Sequence, residues 1–269
     1  ITCRDWSSDV CSSDLIFTTV ADEIMPGQVA SPNLDPTLNG LWGGLLICGK
    51  APISVAGDAQ TKQIEGIPPS DPNGLYGGTD AADNSGVLKY ISIRHGGANI
   101  GEGNEINGLT LAGVGSGTVI EYVEVVSNQD DGIEWFGGSV NVSNAVVWNS
   151  NDDAIDTDQS WNGTLDNFVV INPEDKCFEL DGPEGTTRIG DKNHTIQNGT
   201  VKAGRAVGLV DNDPNTNVNM NNIYFYDVKT GQTFDQYPTV YTGTFANFQI
   251  TLPASTILTD FFKNGTEVN

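Results

Sequence analysis

The stretch IEYVEVVSNQDDGIEWFGGSVNVSNAVVWNSNDDAIDTD, from Ile120 to Asp158, contains one pattern twice at a spacing of 22 residues. An alternating apolar segment begins at Ile120 and again at Val142, with Tyr or Asn at its third position. Each segment is followed by two aspartates, a small residue and an isoleucine, at 130–133 and again at 152–155. The alternation predicts short strands, and a repeat of this length predicts a solenoid in which each repeat forms one coil.

The same segment recurs along most of the chain. It begins at five further positions, and neighbouring segments are 22–32 residues apart: Leu88, Leu165, Ile196, Met220 and Phe245. Neither a heptad, nor a 3.6-residue period, nor leucine-rich spacing accompanies the repeat. We therefore predict an all-β protein, a right-handed parallel β-helix with coils of about 22–25 residues, its handedness taken by analogy with known solenoids.

The repeat also predicts which side chains stack from coil to coil. The third position of the segment, Tyr90 and Tyr122 in the early coils, is Asn in five later coils, and stacked amides predict a ladder at a buried corner: Asn144, Asn167, Asn198, Asn222 and Asn247. Two sets of inward apolar residues are predicted: Ile133, Ile155, Phe178 and Val207 in one, and Val123, Ala145, Phe168 and Ile223 in the other.

The charge balance excludes several classes of partner. The 269 residues include 12 Lys and Arg against 35 Asp and Glu, for a formal net charge of −23. Nucleic acid and anionic lipid both require clustered cations, so neither is an expected partner. Nor does any stretch approach the roughly 18 consecutive apolar residues of a membrane span.

The two ends of the chain differ from the repeats. Residues 4–15 resemble a translated sequencing adapter, so 1–15 is interpreted as an artefact and a signal peptide as lost. Residues 16–85 are predicted to form an N-terminal cap and a first coil with a long insertion. The β-helix is expected over 86–250, followed by a truncated C-terminal segment at 251–269.

Four segments resemble a family of secreted β-helix proteins from Bacteroidota and related environmental bacteria, within the pectate-lyase-like superfamily. They are LWGGLLICGKAPI (Leu41–Ile53), AADNSGVLKYISI (Ala81–Ile93), NEINGLTLAGVGSGT (Asn104–Thr118) and DDGIEWFGG (Asp130–Gly138). The resemblance covers roughly residues 39–182. It implies export and a place outside the cell or on its outer surface, and it carries over no catalytic residues.

Acidic residues recur at the strand positions that point away from the core. If the isoleucines point inward, their neighbours Glu134, Asp156 and Glu179 stack outward from coil to coil, and Asp158 and Asp181 extend the same face. Like charges on adjacent strands repel each other, and oxygen-only ligands suit Ca²⁺. The five residues are therefore a candidate Ca²⁺ site. The alternative is a solvated acidic face.

An enzyme remains the alternative function. Asp153 and Asp156, in NDDAIDTD, resemble the paired aspartates of β-helical polygalacturonases, but the Gly-His-Gly and Arg-x-Lys elements of those enzymes are absent. For a Ca²⁺-dependent lyase, Arg94 and His95 are the best candidate base and charge neutraliser. The alternative for this pair is an ordinary strand end. Either a lyase or a glycoside hydrolase would act on polysaccharide.

A second outward face is apolar. Trp148, Tyr224 and Tyr226 occupy outward positions there and form a candidate platform for a glycan or a surface protein. The alternative is that the insertion Ser54–Asp83 or a terminal segment covers this face. Together these patterns predict an exported, non-catalytic β-helix that binds glycan, Ca²⁺ or a surface partner, and they assign no oligomeric state.

Overall fold

The computed structural model describes residues 15–101, 104, 106–187, 189–190, 194–235 and 243–262. The interpretation of 1–15 as an artefact lies outside the described residues, except for Leu15. Seventeen strands occur in the described residues: β1 Leu15–Phe17, β2 Leu45–Cys48, β3 Lys62–Gln63, β4 Leu75–Tyr76, β5 Val87–Arg94, β6 Leu109–Ala112, β7 Val119–Val126, β8 Ile133–Phe136, β9 Asn141–Trp148, β10 Ile155–Asp158, β11 Thr164–Ile171, β12 Lys176–Leu180, β13 His194–Lys202, β14 Gly208–Asn212, β15 Val218–Tyr226, β16 Thr244–Ala246 and β17 Gln249–Ile250. Two short 3₁₀ turns, Pro72–Gly74 and Leu258–Asp260, complete the secondary structure of these residues.

Two parallel sheets wind around a common core. The first has the order β1-β5-β7-β9-β11-β13-β15-β16, with β17 also pairing with β15. The second has the order β2-β6-β8-β10-β12-β14. From β1 to β15, successive strands of the first sheet are separated in the sequence by a strand of the second, so the chain completes a coil before it returns. The prediction of an all-β, right-handed parallel β-helix is confirmed.

The long strands of the first sheet bend at the predicted ladder position. Each ladder residue has a positive φ, for example 57° at Asn167, and asparagine tolerates this left-handed conformation better than most residues. Asn167 Nδ2 donates to Asn144 Oδ1 at 2.6 Å, and Asn222 Nδ2 donates to Asn198 Oδ1 at 2.8 Å. The ladder is confirmed only in part, because Asn198 donates to Asp166 and Asn247 donates to Asn221 instead. The prediction of a buried corner is wrong. The bend turns these side chains outward, and Asn167 is exposed.

The interior follows the predicted register with one exception. Ile133, Ile155 and Phe178 are aligned on adjacent strands and fully buried. The next residue in that stack is Val210, whereas the predicted Val207 is 66% exposed. Val207 lies in the turn before β14, where its amide donates to the carbonyls of the preceding coil, so the strand starts later than the repeat predicts.

The irregular segments cover the outside and one end of the solenoid. The hairpin β3–β4 packs on the outer side of the second sheet, where Ile64 and Tyr76 contact the cluster that contains Phe136. This location excludes the alternative that the same insertion covers the apolar face of the first sheet. At the C-terminal end, Phe261 and Phe262 pack against the core and protect it from solvent. Among the described residues, no helix has the length and apolarity needed to cross a bilayer.

Candidate functional site

The predicted acidic residues lie on the outer side of the second sheet. Glu134, Asp156 and Glu179 are paired in register on β8, β10 and β12. Asp158 lies two residues further along β10, and Asp181 directly follows β12. We call this set, together with Asp131 and Asp153 from the turns before the strands, the acidic face. The period of two residues along a strand and the 22–23-residue repeat together bring these carboxylates to one surface.

The insertion converts part of this surface into a cavity of about 410 Å³. Carboxylates from several coils line one side, and Lys62, Ile64 and Glu65 from the hairpin region line the other. Glu134 and Asp156 are only 8% and 9% exposed, and Asp131 and Asp153 are still less exposed. These four carboxylates are therefore shielded from water, unlike the side chains of the solvated face considered from the sequence.

Asp131, Glu134 and Asp156 form one carboxylate group on this face. They offer oxygens that all lie within 4.8 Å of one another. Asp156 Oδ1 is buried without a hydrogen-bond partner, and Asn107 Nδ2 donates to Glu134 Oε2. A buried acceptor that lacks a partner costs free energy unless a ligand satisfies it. The donor set is entirely oxygen, which fits Ca²⁺.

The environment opposes ionisation of these groups. Burial, reinforced by neighbouring carboxylates, raises the pKa of Asp131, Glu134 and Asp156 well above the ordinary values. Burial and contact with Glu179 raise the pKa of Asp153 to about 9. Ionisation of these carboxylates is therefore opposed unless a cation compensates their charge.

Aspartates from three successive coils form further groups. Asp130, Asp131 and Asp152 have oxygens within 4.8 Å of one another, as do Asp152, Asp153 and Asp175. Burial, reinforced by Asp213, raises the pKa of Asp181 to about 7. The potential for cation binding thus extends over several coils rather than ending at one triad.

Arg94 and His95 are located on the first sheet, away from the acidic face. The Arg94 guanidinium is 4% exposed, pairs with Glu124, and donates to the Val29 carbonyl at 3.0 Å. His95 Nδ1 is 2.6 Å from the Leu38 carbonyl. Both side chains fasten the N-terminal segment to the solenoid. The structure does not bring them together with Asp156, which lies on β10 of the second sheet, or with Asp153 in the turn before that strand.

The predicted aromatic platform consists of two patches on the outer side of the first sheet. Trp148 and Tyr226 are three strands apart in register, which corresponds to about 14 Å at the usual strand spacing. The rings of Tyr224 and Tyr226 stack at 5.7 Å, and Tyr224 is 39% exposed. Part of the N-terminal segment lies near Trp148, because the adjacent Asn149 donates to the Pro36 carbonyl at 2.7 Å. The alternative of cover by a terminal segment therefore applies to the Trp148 end.

Sequence reasoning missed several residues of the cavity, of which Lys62 and Asn107 are two. Lys62 lies in the insertion and pairs with Glu184 at 3.1 Å, and Asn107 precedes β6 and contacts Glu134. The insertion does not repeat, so no periodic signal identified the surface that Lys62 would face. Asn107 is one of many asparagines, and only its position beside Glu134 distinguishes it.

Comparison with known proteins gives one family. The model described as "Pectate-lyase like beta helix domain" matches residues 29–262, which include both sheets except β1. No curated protein and no solved structure matches the chain significantly.

Proposed function

The chain belongs to the pectate-lyase-like β-helix family, and on that premise we propose that it is an exported, non-catalytic protein that binds Ca²⁺ and glycan on the outer faces of its coils. The observation that carries the proposal is the buried group of Asp131, Glu134 and Asp156, with its unpartnered Asp156 oxygen. Domains of this family are often extracellular, which supports export.

A cation resolves the electrostatic conflict at this group. Three buried carboxylates repel one another, and a bound Ca²⁺ replaces that repulsion with attraction while accepting the orphaned Asp156 oxygen as a ligand. Asp131 and Glu134 precede or belong to β8, and Asp156 belongs to β10. The ion would therefore join two successive coils and stabilise the wall of the cavity.

Glycan binding is supported by the shape and chemistry of two surfaces. The cavity beside the acidic face has the volume of a small-ligand site and mixes polar with apolar residues. The stacked Tyr224 and Tyr226 rings offer a second, exposed aromatic surface on the first sheet. A surface protein is the other partner that this aromatic surface suits.

One observation favours an enzyme as the second candidate. Asp158 and Glu184 both line the cavity, and their environments push their pKa values apart. Burial raises the pKa of Asp158 to about 7. Burial acts in the same direction on Glu184, but hydrogen bonds from Lys62 and Gln159 outweigh it and lower that pKa. An acid with a raised pKa beside an ionised carboxylate is the pairing that glycoside hydrolysis uses, although these two carboxyls share a hydrogen bond and so lie closer than the roughly 5 Å or more that separates the pair in such enzymes.

Calcium titration tests the proposed function. We expect calorimetry of the chelator-treated protein to detect Ca²⁺ binding, and saturation at about 100 times Kd to stabilise the fold by about 2.7 kcal/mol. Glu134→Gln and Asp156→Asn should each weaken this binding. Glu23→Gln, which removes an exposed carboxylate elsewhere, should not. Unchanged Ca²⁺ binding in both Glu134→Gln and Asp156→Asn would refute the assignment of the site.

A polysaccharide screen separates the two candidates. Neutral and uronic polysaccharides are incubated with the calcium-loaded protein, and both binding and cleavage are measured. The non-catalytic proposal expects binding without new reducing ends and without an unsaturated, ultraviolet-absorbing product. Cleavage of a polysaccharide that is abolished by Asp158→Asn would refute the non-catalytic proposal in favour of the enzyme.

A further inference from the structure

Carboxylates make up most of the polar lining of the cavity beside the acidic face. Eight carboxylates line it: Glu65, Asp130, Asp131, Glu134, Asp152, Asp158, Glu179 and Glu184. Among the described lining residues Lys62 is the one base, and its ammonium is paired with Glu184 at 3.1 Å. A wall of this composition repels anions and attracts cations.

Asn107 supplies an independent indication of a missing donor. It lines the cavity, is 5% exposed, and uses its Nδ2 to donate to Thr110 and Glu134. Its Oδ1 is buried and has no partner. This acceptor needs an N–H or O–H group, which either a protonated neighbouring carboxyl or a donor on a bound ligand would supply.

The cavity also has an apolar part that a metal ion would not use. Leu46, Ile64, Ile106 and Phe136 line it opposite or beside the carboxylates. The volume of about 410 Å³ lies within the range of sites for organic ligands. The ligand that matches this surface therefore combines a donor-rich positive charge with a hydrocarbon surface.

We propose that the cavity binds an amino sugar through its free ammonium group, as one unit of a cationic glycan. An ammonium has three donors and no acceptor, which is the complement of Asn107 Oδ1 and the surrounding carboxylates. The C–H face of the sugar ring would lie against Phe136 and its apolar neighbours. This inference rests on the proposed glycan binding and names the class of glycan.

The arrangement of charge favours a polymer over a single sugar. Glu134 and Glu179 both line the cavity and are two strands apart in register, about 10 Å at the usual spacing. A chain that carries one ammonium on each sugar can pair with more than one coil at once. A uronic polysaccharide would instead place like charges against this wall.

The test compares two tetrasaccharides with the same backbone. Calorimetry is performed with the glucosamine tetramer, whose amines are free, and with its fully N-acetylated counterpart, in calcium and in chelator. Because hydrogen bonds to a charged group are worth about 1.5–3 kcal/mol, we expect at least about tenfold tighter binding of the free amine, and weaker binding as salt rises. Equal affinity for the two tetramers, or no binding of the free amine, would overturn the proposal.

Two variants and one competitor test which groups of the protein and of the ligand are responsible for binding of the free amine. Asn107→Ala should weaken binding of the free amine, and so should Glu65→Gln, an exposed hairpin residue whose replacement leaves the core intact. Glu23→Gln is the matched control for loss of one negative charge. If it weakens binding as much as Glu65→Gln does, the attraction is non-specific and the proposal fails.

The competitor is spermine, a polyamine without a sugar. If spermine binds as tightly as the glucosamine tetramer, the sugar does not contribute to recognition and the assignment of a glycan fails. Weaker binding of spermine supports the assignment. Ca²⁺ binding is measured in the same samples. If Ca²⁺ binds but the free-amine tetramer does not, this inference is refuted and the calcium assignment is unaffected.

Discussion

Replacing Asp156 with asparagine should stabilise the calcium-free protein at neutral pH. Asp156 is buried between Glu134 and Glu179 on the adjacent strands, and its Oδ1 has no hydrogen-bond partner. The substitution keeps the size of the side chain and removes its charge. A buried polar residue usually cannot be altered without loss, so a gain in stability would be diagnostic of electrostatic conflict.

The magnitude follows from the separation of the charges. Carboxylate oxygens up to 4.8 Å apart repel by about 3 kcal/mol at an effective dielectric constant of about 20. Uptake of a proton by the group relieves part of this energy, so we expect a gain of about 1–3 kcal/mol. For a chain of this size that is a rise in Tm of several degrees, at about 2–4 °C for each kcal/mol.

The direction of the pH dependence provides an internal control. Burial raises the folded-state pKa of Asp156 well above the ordinary value of 3.8, so the folded protein binds more protons than the unfolded chain above that pH. Its contribution to stability is therefore complete below about pH 4 and is lost as pH rises toward the folded pKa. Asparagine does not titrate. The gain should be large at neutral pH and small near pH 4.

Thermal unfolding of wild type and Asp156→Asn, with and without calcium, measures this effect. Calcium should stabilise wild type more than the variant and so close or reverse the difference between them. The reasoning is refuted if Asp156→Asn lowers Tm in chelator by the same amount at neutral pH and near pH 4. Such a result would mean that the carboxylate is a structural acceptor and not a repelled charge.

Three further changes test the fold. Phe178→Ala should lower the free energy of unfolding by about 3–5 kcal/mol in denaturant titrations, because the ring is fully buried. A loss below about 1 kcal/mol would contradict the position of Phe178 in the core. Asn167→Ala should reduce Tm more than Asn167→Gly, because both variants lose the hydrogen bond to Asn144 but only alanine is strained by the φ of 57°, at a cost of about 1–2 kcal/mol. The opposite order of Tm values would exclude this strain. Asn149→Ala removes the hydrogen bond to the Pro36 carbonyl and should speed limited proteolysis within residues 18–40. An unchanged cleavage rate would show that this hydrogen bond does not hold the segment in place.

The stacking of the acidic face could be predicted because two periods combine. Alternation along each strand fixes which side chains point outward, and the repeat fixes which of them become neighbours, so the alignment of Glu134, Asp156 and Glu179 follows directly. The same reasoning failed at Val207, where the turn before β14 delays the strand. It also could not predict the burial of the acidic face, since burial depends on where a non-repeating hairpin packs.

The carboxylates of the acidic face, unlike the residues at the other repeated positions, do not stabilise the solenoid. Elsewhere each repeated position suits its place: apolar residues such as Ile155 fill the interior, and asparagines such as Asn167 occupy the bends. Natural folds are expected to be locally consistent in this way, and departures from consistency concentrate at functional sites. Buried, mutually repelling carboxylates beside Asn107, with its unsatisfied oxygen, are such a departure and do not help the solenoid to fold. Lysine or threonine at Glu134 or Asp156 would relieve this repulsion, and so would the positively charged ligand that we propose, for which the cavity offers more room than a single ion needs.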